Sequence, residues 1–240
     1  MTREDLKQLD SKLLGEEYFN KIFNDRCQQL DVFFNRMFDM HYIFAGANFN
    51  LAKAANEDIN IDEWETDNPE VLKLFLRTEY LKSCILSYNS IEDYIMKVVV
   101  FSYNLKGKRI TSRKDFIQKC KNMYYQDVLS LIKRIKSNKK IKKVIQDYHK
   151  NNDVKKLRGL ANQIKHNNNI RFNGFPKPSY IRYRNKTKIA YDSNWTEPYS
   201  EDIDDIVNMC YRLNDIIKKY IEDVYDIVSE KYNFEKIHNN

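Results

Sequence analysis

Long stretches of helically spaced apolar residues dominate this sequence, and few residues interrupt them. Only 5 Gly and 4 Pro occur among the 240 residues, and these two residue types most often break helices. Apolar side chains recur every three or four residues over 16–48, 69–105 and 201–228, which is the spacing of a helix with one buried face. The sequence therefore predicts an all-α bundle of long helices.

Residues that favour helix ends divide this pattern into elements. Pro69 suits the first turn of the second long helix. Ser112, Asp153 and Ser200 are predicted N-caps of later helices, because their side-chain oxygens can accept hydrogen bonds from free backbone N–H groups. The helix that begins after Ser112 is either extended or followed by another helix up to residue 150.

The helical pattern gives way to strand-like alternation between residues 172 and 198. Alternating polar and apolar residues at 180–184 and 188–191 flank a short polar turn. This arrangement predicts a small β-hairpin within 178–192. The segment 172–198 is thus interpreted as a loop and hairpin inserted into a single helical domain over 1–240.

Charge is distributed unevenly along the chain. Residues 1–100 carry 11 basic and 18 acidic groups, residues 101–190 carry 25 and 4, and residues 191–240 carry 5 and 12. A basic centre of this size can pair with the acidic flanks of its own fold, bind a polyanion such as RNA, or do both.

Several other classes of protein are disfavoured. No apolar run of 18 residues and no apolar signal region occur, which predicts a cytoplasmic protein without a membrane span. The four cysteines are far apart in sequence and form no metal-ligand spacing, so no metal or cofactor is predicted. Phosphate-binding glycine loops, a nucleophile elbow and a zinc-protease motif are also missing.

The segment 158–167 combines helical spacing, basic charge and usable chemistry. One arc of its helical wheel carries apolar side chains, namely Leu157, Leu160, Ala161 and Ile164. The opposite arc carries polar ones, namely Lys155, Arg158, Asn162, Lys165 and His166. A histidine among such groups can cleave RNA without a metal, because the 2′-hydroxyl supplies the nucleophile and imidazole transfers the proton near neutral pH.

Each polar residue of this segment has a predicted role. His166 is the candidate general acid/base, Asn162 orients it or a phosphate oxygen, and Arg158 with Lys165 neutralises phosphate charge. The predicted RNA contacts are Lys155, Lys156, Lys165, Arg171, Arg182 and Arg184. The structural alternative is that His166 lies at the helix C-terminus because a positive charge is favourable there, and that the following asparagines end the helix.

The element Asn162-Gln-Ile-Lys-His166, on a late core helix of a bundle, resembles the HEPN superfamily of prokaryotic toxins and defence proteins, particularly its larger members that read Asn-x-Ile-Lys-His. The resemblance covers mainly the second long helix and residues 153–228. It implies an α-helical homodimer in which two such helices face each other across a cleft. It also implies a metal-independent endoribonuclease of a toxin–antitoxin or phage-defence system, with an antitoxin or regulatory partner.

One position departs from the HEPN pattern. Members usually carry an Arg that four to six residues separate from the His, and the positions that this spacing allows here, Gly159, Leu160 and Ala161, hold no basic residue. Arg158 can substitute only if its side chain reaches along the groove. The alternatives are therefore a catalytically inactive HEPN-like module that binds RNA or a nucleotide, and a structural protein-interaction domain.

Overall fold

The computed structural model describes residues 28–107, 110–121, 123–133, 139–166, 170–175, 181–184, 187–190 and 200–232. Within these ranges the chain forms seven helices and four short strands. The helices are α1 (Gln28–Ala55), α2 (Pro69–Ser102), α3 (Arg113–Cys120), α4 (Tyr125–Ile132), α5 (Lys139–Lys150), α6 (Asn152–His166) and α7 (Ile203–Tyr232). The predicted all-α fold with a small β-insertion is confirmed.

Helix α2 lies at the centre of the bundle. It packs against α1, α4, α6 and α7, and most of its residues from Leu81 to Ser102 are buried. Pro69 occupies its first turn, as predicted, and the Asn68 side chain accepts a hydrogen bond from the Val71 N–H. A helix that packs against neighbours on several sides lacks the exposed polar face of a surface helix.

The four strands form two separate pairs. Strands β2 (Ile181–Arg184) and β3 (Thr187–Ala190) are antiparallel, with Arg182 opposite Ile189, so the predicted hairpin is confirmed. Strands β1 (Arg171–Phe172) and β4 (Ser200–Glu201) form a parallel pair. This second pair was not predicted, because a two-residue strand has no periodicity to recognise. It brings together the two ends of the predicted insertion.

Several predicted helix boundaries are wrong. Helix α1 continues to Ala55 instead of ending near residue 48, and its predicted start at residue 16 lies outside the described residues. The predicted third helix is two short helices, α3 and α4. Ser112 caps α3 as predicted. The side chain of Asn151, rather than Asp153, accepts hydrogen bonds at the start of α6.

Helix α7 also begins later than predicted. The backbone of Ser200 is already paired in β4, and the carboxylate of Asp202 accepts hydrogen bonds from the N–H groups of Asp204 and Asp205. Both capping errors have the same cause, since several Asn, Asp and Ser residues near each boundary are equally good caps. No helix in the described ranges is long and apolar enough to cross a membrane.

A buried polar network connects three long helices. The Tyr88 hydroxyl on α2 donates to Asn48 Oδ1 on α1 at 2.7 Å. The side-chain amide of Asn214 on α7 donates to the Tyr88 oxygen at 2.8 Å and also to Asn48 Oδ1. All three side chains are buried. Buried polar groups need such partners, so the network fixes how these helices align.

A pair of stacked tyrosines joins α5 to α7. The rings of Tyr148 and Tyr220 are nearly parallel, with centroids 3.9 Å apart. Burial, followed by the nearby charge of Glu92, raises the pKa of both phenols well above the usual range. Both groups therefore remain protonated in the folded protein at pH values where free tyrosine ionises.

We expect Asn214→Ala to lower the free energy of unfolding by about 2–3 kcal/mol, because it leaves the buried polar groups of Asn48 and Tyr88 without their shared donor. Urea unfolding followed by circular dichroism measures this change. The matched control is Asn208→Ala, on an exposed position of the same helix, which we expect to change stability by less than about 0.5 kcal/mol. Equal effects of the two substitutions would contradict the role of the network.

We expect stability to fall as pH rises above about 10, where tyrosines of the unfolded chain ionise while Tyr148 and Tyr220 stay protonated in the folded state. Because the pKa of each tyrosine is raised in the folded state, its contribution to stability is fully present at pH values below the unfolded-state pKa. That contribution is lost progressively as the pH rises above the unfolded-state pKa. Tyr148→Phe keeps the stacked ring and should make the alkaline loss shallower by up to about 1.4 kcal/mol per pH unit. Urea unfolding at several alkaline pH values tests this, with the exposed Tyr124→Phe as control.

Candidate functional site

Helix α6 separates a core face from an exposed face, as its sequence predicts. Its buried residues are Val154, Leu157, Leu160 and Ala161. Its exposed positions include Lys155, Asn162, Lys165 and His166. Apolar burial against α2 and α7 therefore fixes which way the polar side chains project.

The guanidinium of Arg158 lies away from His166. Its Nη1 donates to Glu92 Oε2 at 3.1 Å and its Nη2 donates to the backbone carbonyl of His149 at 2.6 Å. The chain enters α6 just after His149, whereas His166 is eight residues beyond Arg158, about 12 Å along the helix axis. Arg158 and His166 are not brought together within one protomer, and the predicted phosphate-binding role of Arg158 stays a prediction.

The carboxylate of Glu92 is the focus of these contacts. Its side chain is only 11% exposed, and its Oε1 lies 2.8 Å from His149 Nδ1. Both carboxylate oxygens therefore have a partner, one on α5 and one on α6. Glu92 of α2 thus pairs with Arg158 on the polar arc of α6.

Tyr125 completes the arrangement, which we call the Glu92 cluster: Glu92, Tyr125, His149 and Arg158. The rings of Tyr125 and His149 stack with centroids 3.4 Å apart and planes 6° apart. Burial, and then the charge of Glu92, raises the pKa of Tyr125, while the charge of Arg158 opposes the rise. The imidazole of His149 is thus held by a carboxylate at one edge and by an aromatic ring on one face.

The predicted RNA-contacting residues fall into different environments. Lys156 pairs with Glu201 at 3.0 Å, whereas Lys155 and Lys165 form no ion pair with any residue in the described ranges. Burial raises the pKa of Asp93, and the charges of Lys97 and Lys165 oppose the rise, so Lys165 lies near that carboxyl group. The exposed face of α6 therefore keeps part of its positive charge unneutralised.

The predicted arginines of the insertion lie beyond α6. Arg171 is half-buried in β1, and its backbone is paired with that of Ser200. Arg182 and Arg184 belong to β2, where only the backbone is described. Their predicted RNA contacts stay predictions.

The acidic flanks neutralise only part of the basic centre. Among the described residues, three basic side chains of the centre pair with flank carboxylates: Lys140 with Glu230 at 2.8 Å, Lys156 with Glu201, and Arg158 with Glu92. Other exposed lysines of α5 and α6 form no ion pair within the part of the chain described, namely Lys139, Lys143, Lys150, Lys155 and Lys165. Pairing inside the fold and an open basic surface therefore coexist.

Sequence reasoning missed two members of the Glu92 cluster, Tyr125 and His149. One signal was available, because His149 follows Ile145 by four residues and so borders the buried face of α5. A polar ring at that border can reach a partner on the adjacent helix, but the sequence does not say which helix that is.

The arrangement offers general acid/base chemistry beside unneutralised lysines. No group of three His, Cys, Asp or Glu side chains in the described ranges is placed to hold a metal ion. Comparison with protein-family models, curated proteins and solved structures finds no match to this chain. The function must therefore be argued from the residues of the site itself.

Proposed function

We propose that this chain is a HEPN-like protein that binds RNA along the exposed face of α6 and cleaves it without a metal ion. One observation carries the proposal: Lys155, Asn162 and His166 project from this face, and none of them is tied to another residue of the described ranges. Their side chains are thus available to a ligand. Such a protein would act on cytoplasmic RNA, alongside an antitoxin or regulatory partner.

The proposed reaction uses the substrate's own nucleophile. His166 removes the proton of a 2′-hydroxyl, whose oxygen attacks the adjacent phosphorus while the bond from phosphorus to the 5′-oxygen breaks. The departing oxygen takes a proton from the resulting imidazolium or from water. The products are a 2′,3′-cyclic phosphate and a 5′-hydroxyl, and Lys165 neutralises charge that develops on the phosphate.

A homodimer would strengthen this site. In the HEPN-like arrangement two α6 helices face each other across a cleft, so each His166 gains the lysines of a second helix. This supplies cations that Arg158 does not, because the Arg158 guanidinium is held by Glu92 and the His149 carbonyl.

A second candidate function is RNA binding without cleavage. The position of Arg158 favours it, because the transition state of phosphate transfer is stabilised by a nearby cation and this guanidinium is occupied elsewhere. In that case the lysines of α5 and α6 bind the phosphate backbone, and His166 is an ordinary exposed histidine.

Cleavage of a labelled generic RNA in EDTA tests the first proposal. We expect His166→Ala to lower the rate by about 10²–10⁴-fold, the usual contribution of a general acid/base. Gln118→Ala, at an exposed neutral position of α3, should leave the rate unchanged. Cleavage that persists at the wild-type rate in His166→Ala contradicts the assignment, and binding without cleavage by the wild type supports the second candidate.

RNA affinity can be tested with two adjacent lysines. We expect Lys155→Ala to weaken RNA binding and to reduce the salt dependence of the binding constant by about one ion, because its ammonium is free to contact a phosphate. Lys156→Ala should have a smaller effect, since Lys156 already pairs with Glu201. Titrations at several salt concentrations measure both, and indistinguishable effects would contradict this view of the surface.

A further inference from the structure

The His149 side chain is oriented by three neighbours. Glu92 Oε1 lies 2.8 Å from its Nδ1, and the Tyr125 ring stacks on its face. Arg158 donates to the carbonyl of the same residue and to the other oxygen of Glu92. Ring rotation, ring tilt and backbone position are therefore all constrained.

The second nitrogen of His149 is left available. Nε2 forms no hydrogen bond with any residue of the described ranges and is accessible to solvent. The side chain as a whole is 27% exposed. In the neutral ring, donation of Nδ1–H to the carboxylate leaves the lone pair on Nε2. When Nε2 takes a proton, the same carboxylate stabilises the imidazolium.

Two exposed lysines lie near His149 along the chain. Lys150 follows it on α5, and Lys155 lies one turn into α6, where its backbone N–H bonds to the Asn151 carbonyl. Both lysines are exposed and form no ion pair in the described part of the chain. The nearby carboxylate of Asp153 is already paired with Arg212.

We propose that His149, oriented by Glu92, is a second acid/base group of this chain and that it takes the proton from the 2′-hydroxyl of an RNA nucleotide bound beside Lys150 and Lys155. This inference rests on the proposed function, namely RNA cleavage. The 2′-oxygen forms its bond to phosphorus, the bond to the 5′-oxygen breaks, and that oxygen takes a proton from His149 or from water. Glu92 does not touch the substrate and is a positioning residue.

His149 and His166 cannot serve the same phosphate within one protomer. His149 lies on α5 just before α6 begins, whereas His166 is the last residue of α6, and the rise along α6 from residue 152 to residue 166 is about 21 Å. The two histidines are therefore separate centres, and substitutions at each should act independently.

The experiment compares RNA cleavage in EDTA by the wild type, by His166→Ala, and by His166→Ala combined in turn with His149→Gln, with Glu92→Gln or with the control Gln146→Ala, which lies one turn earlier on α5. We expect His149→Gln to lower the cleavage rate that remains in His166→Ala by at least about 10²-fold, with RNA affinity unchanged. Glu92→Gln should lower the kcat of the same residual reaction while leaving its KM unchanged, since the amide cannot stabilise an imidazolium. Thermal unfolding verifies that each variant is folded.

The outcomes separate the two proposals. No cleavage by the wild type overturns both. No residual cleavage in His166→Ala, or a residual rate that His149→Gln does not lower, overturns only the role of His149. A wild-type rate that is kept in His166→Ala and lost when His149→Gln is added supports His149 and overturns the assignment of His166.

A second measurement covers a variant that fails to fold. In the wild-type protein, diethyl pyrocarbonate should modify His149 at its open nitrogen, and bound RNA should protect it, as mass spectrometry of peptides would show. Absence of modification at His149, or modification that bound RNA does not reduce, overturns the proposal.

Discussion

The nearly buried carboxylate of Glu92 determines how α2, α5 and α6 meet. A carboxylate removed from water loses several kcal/mol of hydration, so it is stable only with cationic or hydrogen-bonding partners on both oxygens. His149 and Arg158 are these partners, and they belong to two different helices. Removing one partner of such a buried pair typically costs about 3–5 kcal/mol, because the other charge is left alone. The orientation of α6, and so of its exposed face, follows from this requirement as well as from apolar packing.

Helix α2 also carries the buried hydroxyl of Tyr88, which donates a hydrogen bond to Asn48 on α1 and accepts one from Asn214 on α7. Apolar helix faces slide past one another at modest cost, since one aliphatic contact can replace another. A hydrogen bond between buried side chains has no such substitute, because a shift leaves donors unpaired. Two polar positions on α2 therefore set the alignment of a bundle whose bulk is aliphatic and aromatic.

The sequence reveals local helical patterns more completely than it reveals contacts between residues that are far apart in the chain. The period of apolar residues predicted α2 and α7 to within a few residues, and the wheel of α6 separated Ala161 in the core from exposed His166. By contrast, the Glu92 and His149 contact joins residues 57 positions apart. No periodicity encodes such a pair, so the sequence predicted neither the contact between Glu92 and His149 nor a role for His149, which has no motif of its own.

Burial of Ala161 explains why the cation of the HEPN pattern cannot occupy that position in this fold. Ala161 is fully buried, so an arginine there would have to enter the core between α6 and its neighbours. A guanidinium in that position would be desolvated and overpacked. Arg158, one turn earlier, lies at the edge of the core, where its guanidinium forms an ion pair with Glu92. In the proposed sites, the positive charge for a phosphate at His166 would come from the exposed lysines of α6 or from a second subunit, and that for a phosphate near His149 would come from Lys150 and Lys155.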